Sequence, residues 1–259
     1  MIKITFLGTN GWYDTKTGNT VSILIQCSKY DIILDAGNGF AKIGQYLTFP
    51  SDSKSSGRIC KKPVYLFLSH YHLDHIIGLH TLNKFNFRKG LYITGPRGLK
   101  KMLNTMVQKP YTFPFSKLPY PTKIYEVKNG RYESPIPFEC KPLVHPVTTL
   151  GYRFRINGKT ITYCTDTGYC DNAVQLAKNT DLLISECAYK RGILSRQWPH
   201  LNPDEAARLA QESNAKKLVL MHFDASKYKE IKDRKTAELQ ARGTFKNTMA
   251  ATDDMQITI

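Results

Sequence analysis

Four side chains of the types that bind metal ions lie within six residues of each other in the segment FLSHYHLDH. His70 and His72 are two residues apart, and Asp74 and His75 follow closely. Imidazole and carboxylate are ligands that catalytic zinc prefers, because they bind firmly and leave a coordination position for water. A solvated loop rich in histidine is the alternative, but it does not explain so dense a cluster. The segment therefore predicts a metal site that performs chemistry.

The sequence around this cluster indicates how it is held. Residues 64–68, VYLFL, are apolar and β-prone, which predicts a buried strand that ends where the cluster begins. Side chains on the loop after such a strand face solvent, while the strand holds the loop rigidly in place. A helix is predicted next, over residues 76–84. His80 on this helix is expected in the core or behind the ligands rather than among them.

Other candidate ligands lie far along the chain. The sequence holds seven histidines, of which His145 and His222 each follow an apolar or strand-like run. Asp166 follows a strand predicted over residues 160–164, so it too lies at the end of a strand. Each of these residues alone would more often be an ordinary buried side chain than a metal ligand. Beside the first cluster, they predict a second group of metal ligands.

Strands and helices alternate along the rest of the chain. Strands are predicted at residues 2–7, 21–26, 31–34, 91–94, 152–156, 181–185 and 217–221, and helices at residues 40–48, 96–107, 171–179, 203–213 and 226–242. Asn202 and Glu205 predict a capping box for the helix at 203–213. Two halves that each run from strands to helices, without a linker, indicate a single domain over residues 1–259 with helices outside two central sheets.

Two segments fall outside this pattern. Residues 51–62 are polar and are predicted to form an exposed loop. Residues 110–121 hold four prolines and four aromatic residues, which excludes a regular element. This second segment is predicted to be either a flap that stacks a flat group such as a base, or a plug packed on the core or on a partner subunit.

The chain is strongly and unevenly basic. Its 37 lysines and arginines against 21 acidic residues give a net charge of +16, and residues 54–141 hold 16 basic and 4 acidic residues. Such a surface attracts a polyanion such as RNA or DNA, or a small anionic substrate. A generally basic proteome would give the same excess. The charge therefore indicates a class of partner and no identity.

The composition predicts a cytoplasmic protein. No tract is long and apolar enough to span a bilayer, and the first residues lack the layout of a signal peptide. The six cysteines are scattered without a C-x-x-C pair, which indicates reduced thiols rather than disulfides or a cysteine-built zinc site. We expect no membrane partner, and a homodimer is an open alternative to a monomer.

The ligand positions resemble those of the metallo-β-lactamase superfamily. HYHLDH at 70–75 is similar to its H-x-H-x-D-H set, and DAG at 35–37 resembles its aspartate-glycine turn. The resemblance implies an α/β fold, a four-layer αββα sandwich with a two-metal site along one edge of the sheets. Zinc is the expected divalent ion, with manganese and iron as alternatives. The implied ligands are His70, His72 and His145 for one ion, Asp74, His75 and His222 for the other, and Asp166 as a bridge.

Within that superfamily the chain resembles the ribonuclease Z group of phosphodiesterases. The segments around His145, His200 and His222 carry this resemblance, and Glu186 corresponds to a glutamate that orients the first histidine of the C-terminal pair. Ribonuclease Z has a long tRNA-gripping arm before the bridging aspartate. Here only 20 residues separate His145 from Asp166, so no arm fits. The resemblance thus implies phosphodiester chemistry rather than tRNA 3′ processing.

A two-metal site of this kind suits hydrolysis of a phosphodiester by a hydroxide that bridges the ions. The expected catalytic residues are Asp74, which would ligate and also accept a proton from the nucleophile, and His200, which would protonate the departing alkoxide. Glu186 would fix the tautomer of His200. The expected substrate is an anion such as RNA, DNA or a cyclic nucleotide.

Two other functions stay open. A carboxyl hydrolase for a lactone, thioester or β-lactam would have no use for a basic surface, and an exported β-lactamase would need a signal peptide. A non-catalytic nucleic-acid-binding scaffold would not need an intact ligand set. A di-iron redox role is disfavoured, because its ligand loop usually carries glutamate at the position of His72.

Overall fold

The computed structural model describes residues 1–47 and 60–259. In chain order, the strands are β1 (Lys3–Gly8), β2 (Asn10–Gly11), β3 (Ser22–Gln26), β4 (Asp31–Leu34), β5 (Val64–Phe67), β6 (Leu91–Pro96), β7 (Thr122–Val127), β8 (Gly130–Tyr132), β9 (Phe138–Pro142), β10 (Leu150–Ile156), β11 (Lys159–Cys164), β12 (Leu182–Glu186), β13 (Leu218–Met221), β14 (Phe223–Asp224), β15 (Thr248–Ala250) and β16 (Gln256–Thr258). The α-helices are α1 (Leu73–Ile76), α2 (Leu99–Met106), α3 (Asp171–Ala177), α4 (Pro203–Glu212) and α5 (Ile231–Arg242), and 3₁₀ helices cover Asn38–Gln45, Ile77–Lys84 and Phe115–Lys117.

Two seven-stranded sheets with the same plan form the centre of the described structure. Their strand orders are β16-β1-β3-β4-β5-β6-β7 and β15-β13-β12-β11-β10-β9-β8. In each sheet a parallel group, β4-β5-β6-β7 or β11-β12-β13-β15, adjoins an antiparallel group. The loops after β5, β11, β12 and β13 therefore leave the carboxyl ends of parallel strands, where sites in such sheets form.

Three apolar cores separate four layers. Phe6, Phe67 and Phe154 belong to the core between the two sheets. A second core packs the other face of the first sheet against α2 and the three 3₁₀ helices given above, and a third packs the second sheet against α3, α4 and α5. Complete burial of one such phenylalanine stabilises the fold by roughly 1.5–3 kcal/mol. The αββα sandwich expected from the sequence is confirmed.

The predicted cap of α4 is confirmed. The Asn202 side chain accepts hydrogen bonds from the backbone nitrogens of Asp204 and Glu205, at 3.0 and 3.1 Å, and the Glu205 carboxylate accepts from Asn202 N. Pro203 occupies the first turn, where its missing N–H costs nothing. This cap places the residue pair His200-Leu201 directly before a rigid helix.

Four predicted helices begin at other positions than expected. The helix predicted over 40–48 is the 3₁₀ helix Asn38–Gln45, and the one predicted over 96–107 is α2, which starts at Leu99 because Pro96 still belongs to β6. The helix predicted over 226–242 starts at Ile231, because Asp224 accepts hydrogen bonds from Ser226 and holds a turn there, and Glu230 and Asp233 form the capping box. The helix predicted over 76–84 is the short α1 followed by a 3₁₀ helix. The sequence also predicts neither β15 nor β16, which are three-residue strands that depend on their neighbours in the sheet.

Part of the aromatic segment 110–121 packs on the core, whereas Tyr111 and Phe113 are exposed. Phe115 and Tyr120 are buried in the second core, and the Tyr120 hydroxyl donates to Leu82 O at 2.9 Å. The segment contributes nothing to the cleft described below, so the plug is the interpretation that its contacts support. Of the loop predicted over 51–62, residues 51–59 lie outside the described part of the chain. Within that part, no helix is long and apolar enough to cross a membrane, and all six cysteines are free thiols.

Candidate metal centre

The structure brings the seven predicted ligand residues together at one edge of the two sheets. His70 and His72 follow β5, Asp74 and His75 lie on α1, His145 follows β9, Asp166 follows β11 and His222 follows β13. Asp166 and His222 have φ values of 47° and 52°, in the left-handed region that side chains other than glycine rarely adopt. Such conformations at strand ends turn both side chains toward the same point and are typical of functional sites.

The first group of ligand-type side chains consists of His70, His72, His145 and Asp166. Nδ1 of His72 lies 2.9 Å from Nε2 of His70 and 3.3 Å from Nε2 of His145. Asp166 Oδ2 lies 3.7 Å from the Nε2 atoms of both His70 and His145. Burial lowers the pKa of His145 to about 4, against the opposing charge of Asp166, so its imidazole is neutral and free to bind a cation.

The second group consists of Asp74, His75 and His222. Nε2 of His222 lies 3.1 Å from Nε2 of His75 and 3.3 Å from Oδ2 of Asp74. The other oxygen of Asp166, Oδ1, lies 3.1 Å from His75 Nε2 and 3.2 Å from His222 Nε2. The two oxygens of the Asp166 carboxylate therefore face one group each.

These separations fit coordination of divalent ions. A tetrahedral zinc ion with ligand distances of about 2.0–2.1 Å holds its ligand atoms roughly 3.3 Å apart. The distances quoted above, from 2.9 to 3.7 Å, scatter around that value. Converging nitrogen and carboxylate lone pairs repel each other unless protons or a cation lie between them. The donor set of imidazole and carboxylate, without sulfur, matches zinc, manganese or iron.

Asp35 fixes the metal loop from behind. Its Oδ1 accepts from Ser69 N at 2.7 Å. Its Oδ2 accepts from Ser69 Oγ at 2.8 Å, Tyr163 OH at 2.7 Å and His75 Nδ1 at 2.9 Å. This carboxylate is completely buried, and it sets the tautomer that leaves His75 Nε2 facing the site. The sequence pointed to the turn at 35–37 but not to Tyr163, which reaches Asp35 from the opposite sheet.

His200 and Glu186 form a buried pair beside the two groups. Oε1 of Glu186, the last residue of β12, accepts from His200 Nδ1 at 2.8 Å and from Thr167 N at 2.5 Å, while Oε2 accepts from Ala188 N. Nε2 is therefore the ring nitrogen that His200 offers to the cleft. Burial lowers the pKa of His200, but the charge of Glu186 and its hydrogen bond outweigh burial and raise it to about 9.

An open cleft of about 720 Å³ leads to these residues. Its lining residues are Gly11, Trp12, His72, Leu73, Asp74, Asp166, Ala188, Tyr189, Trp198, His200, His222, Asp224 and Lys227. The backbone nitrogen of Trp12 donates to Asp74 Oδ2 at 2.8 Å, and the Trp198 ring stacks on His72 with centroids 5.4 Å apart.

Sequence reasoning identified neither tryptophan, although their scarcity, two in the whole chain, was a usable signal. It also missed Gly11, where a β-carbon would lie 2.5 Å from His222 Cε1. Glycine is required at that position because the imidazole passes so close to the backbone. The predicted placement of His80 in the core or behind the ligands was wrong, since this histidine is exposed, with its Nδ1 2.6 Å from Ile77 O. It belongs to neither group of ligand-type side chains.

Known sequences are similar to most of this chain. Residues 30–223 match the family described as "Beta-lactamase superfamily domain". Ribonuclease Z from Prochlorococcus marinus (strain MIT 9301) is 28% identical over 319 aligned positions, which cover 97% of this chain and 98% of that protein. The probable metallo-hydrolase YhfI from Bacillus subtilis (strain 168) is 27% identical over 241 positions, covering 86% and 87% of the two chains.

Solved structures share the fold over the full length of the chain. The crystal structure of the metallo-beta-lactamase fold protein YhfI from Bacillus subtilis has a TM-score of 0.77 at 23% identity, covering 99% of this chain and 98% of that one. Human tRNase Z, short form, has a TM-score of 0.72 at 21% identity, covering 99% of each chain. The alignment with ribonuclease Z has 319 positions against 259 residues here, so at least 60 of its positions have no counterpart in this chain.

The family match covers 194 of the 259 residues, and it includes all the ligand-type side chains that the fold brings together. Divalent metal ions are implied by that fold, and the two groups of donors are of the kinds that bind them. The chain therefore belongs to the beta-lactamase superfamily and has the metallo-β-lactamase fold.

Proposed function

We propose that this protein is a metal-dependent phosphodiesterase that acts on nucleic acid or on nucleotides, cyclic nucleotides included. The observation that carries this proposal is the His200–Glu186 pair beside two donor groups that share Asp166. Cleavage of a phosphodiester expels an alkoxide, which leaves poorly unless an acid protonates it. A histidine whose orientation is fixed by a buried carboxylate suits that step. Similarity to proteins named ribonuclease Z supports the same class of substrate.

The proposed ligands of one ion are Nε2 of His70, Nδ1 of His72 and Nε2 of His145. Those of the other are Asp74, His75 and His222, and Asp166, whose two oxygens face one group each, would contribute to both sites. We propose zinc because the donors are mainly imidazole, with manganese and iron as the alternatives. Two bound divalent ions would activate a water molecule and neutralise the negative charge that develops on the phosphate.

The protein's own residues would then position groups and move protons. Asp74, held by the backbone N–H of Trp12, is close enough to the second group to act as a ligand and to accept a proton from the nucleophile. Nε2 of His200 would donate a proton to the leaving oxygen. Glu186, itself held by the N–H groups of Thr167 and Ala188, keeps His200 in the required orientation.

Three substrates distinguish this proposal from its alternatives. Protein loaded with zinc or manganese, and protein stripped by a chelator, would be assayed on bis(p-nitrophenyl) phosphate, on a lactone and on a thioester, with His72→Ala as the inactive reference. We expect metal-dependent turnover of the phosphodiester. Turnover of the lactone or thioester without the phosphodiester would instead assign a carboxyl hydrolase, and no metal-dependent turnover at all would assign a binding scaffold.

We expect Asp35→Asn to weaken metal binding by about 10- to 100-fold, since an amide cannot accept all the hydrogen bonds that hold His75 and Ser69. The free energy of unfolding should also fall, by about 1–3 kcal/mol, because buried donors lose their acceptor. Competition with a chromogenic chelator measures the first effect and urea denaturation the second. Glu133→Gln, which changes an exposed carboxylate, should alter neither quantity. An unchanged zinc affinity in Asp35→Asn would refute the role assigned to Asp35.

A further inference from the structure

Both tryptophans of the chain lie in the wall of the cleft and are largely exposed. Trp12 is 68% exposed and Trp198 is 47% exposed, although large aromatic side chains usually gain most when they are buried. They come from different loops, one after β2 and one between β12 and α4. Leu73, on a third element, is 58% exposed in the same wall. An exposed apolar surface of this kind marks a place where something binds.

The two tryptophan residues contact residues of the candidate metal centre. Trp198 lies nearly parallel to His72, at an interplanar angle of 13°, and edge-on to His145 at 5.5 Å. Trp12 has a φ of 76°, a left-handed conformation that its backbone hydrogen bond to Asp74 Oδ2 helps to maintain. The Trp198 ring therefore packs on a proposed ligand, and the backbone of Trp12 is held by another. A flat group attached to a phosphate at the metals would meet these rings.

The wall of the cleft offers little charge for recognising a chain of phosphates. Among its lining residues, all of which lie in the described part of the chain, Lys227 is the one lysine or arginine. Its Nζ is already paired with Asp224 at 2.6 Å and lies over the Tyr189 ring at 5.4 Å. No lysine or arginine of the basic segment 54–141 lines the cleft in the described structure. Apart from the proposed metal ions, recognition of a substrate at this site therefore depends more on apolar and aromatic contacts than on contacts between basic side chains and phosphates.

We infer that Trp198 and Trp12 form a stacking site for the nucleobase next to the scissile phosphate. The substrate is accordingly a free nucleotide or an unpaired nucleotide of a single strand, because a base within a duplex is already stacked and cannot lie against an indole. This inference rests on the proposed phosphodiesterase function and specifies the part of the substrate that is recognised. Stacking tolerates any of the bases, so we expect a preference for the presence of a base and little preference for its identity.

Intrinsic fluorescence tests binding without any need for turnover. The whole tryptophan emission comes from the cleft, so the metal-loaded protein can be titrated with adenosine 5′-monophosphate and with ribose 5-phosphate, which lacks only the base. We expect the nucleotide to quench the emission and to bind about 5- to 150-fold more tightly than the sugar phosphate. N-acetyltryptophanamide corrects for absorption by adenine. Equal affinities of the two ligands would overturn the inference.

Variants assign the effect to the two rings. Trp198→Leu should reduce the affinity for the nucleotide by about 5- to 150-fold, and Trp198→Phe should restore part of it. Trp12→Asn is the second variant, because asparagine tolerates positive φ and the backbone N–H to Asp74 remains. Tyr111→Ala, which removes an exposed aromatic ring outside the cleft, is the matched control and should change nothing. Metal content is measured for each variant, since Trp198 contacts His72.

Kinetics separate this inference from the proposed function. The ratio of kcat/KM for thymidine 5′-(p-nitrophenyl phosphate) to that for methyl p-nitrophenyl phosphate should exceed about tenfold and collapse toward one in Trp198→Leu. Equal turnover of both esters by the unchanged protein overturns the stacking site and leaves the phosphodiesterase intact. No metal-dependent turnover of either ester overturns the proposed function. Emission that changes with protein concentration but not with nucleotide would instead assign the aromatic surface to contact between copies of the chain, and it would also overturn the inference.

Discussion

Asp166→Asn is expected to lower kcat/KM for bis(p-nitrophenyl) phosphate by at least about 10³-fold, a loss of roughly 4 kcal/mol of transition-state stabilisation. Its Oδ2 faces the group of His70 and His145, and its Oδ1 faces the group of His75 and His222. An amide keeps one acceptor and replaces the other with an NH₂ group, which cannot bind a cation. The charge and the proposed link between the two ions would both be lost.

Metal analysis distinguishes loss of an ion from loss of folding. We expect two zinc ions per chain in the unchanged protein and one or fewer in Asp166→Asn, as measured by atomic emission after gel filtration. Glu133→Gln makes the same chemical change on an exposed side chain and should keep both the ions and the activity. Two tightly bound ions together with full turnover in Asp166→Asn would show that Asp166 is not the bridge.

His200→Ala is expected to act strongly on substrates with poor leaving groups and weakly on activated ones. Turnover of a dinucleotide, which expels an alkoxide, should fall by about 10²–10⁴-fold, because the group that protonates it is gone. Turnover of bis(p-nitrophenyl) phosphate should fall by no more than about tenfold, since p-nitrophenolate leaves without a proton. Initial rates on the two substrates measure the contrast directly, at equal metal content.

Two further variants define the role of the pair. Glu186→Gln should show the same contrast between substrates with a smaller loss, because His200 remains but loses the charge that orients it. His80→Ala removes an exposed histidine outside both groups and should leave both rates unchanged. If His200→Ala reduced both rates equally, His200 would be a ligand or a positioning residue and not the proton donor.

The parts of the centre that follow from local sequence were predictable. A strand of apolar residues that ends in HYHLDH predicts ligands on a loop, and Asp166 and His222 were found by the same logic at other strand ends. The capping box with which α4 begins at Asn202 is equally local. These features depend on residues that are close in the sequence, so spacing and residue type are enough to identify them.

The missing parts depend on contacts between distant segments. Tyr163, in the second sheet, donates a hydrogen bond to Asp35, which follows a strand of the first sheet. Gly11 is required only because His222 packs against it. The two exposed tryptophans are far apart in the sequence, so no sequence pattern indicates that they line the same cleft. The basic segment 54–141 was expected to meet an anion, yet none of its lysines or arginines lines the cleft in the described structure. The direction in which a charged side chain points depends on the fold, and the net charge of +16 gives no information about it.

The shared carboxylate of Asp35 also bears on when a newly made chain can acquire metal. It joins His75, from the first half of the chain, to Tyr163, from the second, and the donors themselves are divided between residues 70–75 and residues 145–222. A polypeptide of which only the amino-terminal half has left the ribosome holds an incomplete set of donors, and its Asp35 lacks the hydrogen bond from Tyr163. Tight binding of the two ions that we propose would therefore require that the second half of the chain is synthesised and that the two sheets have docked.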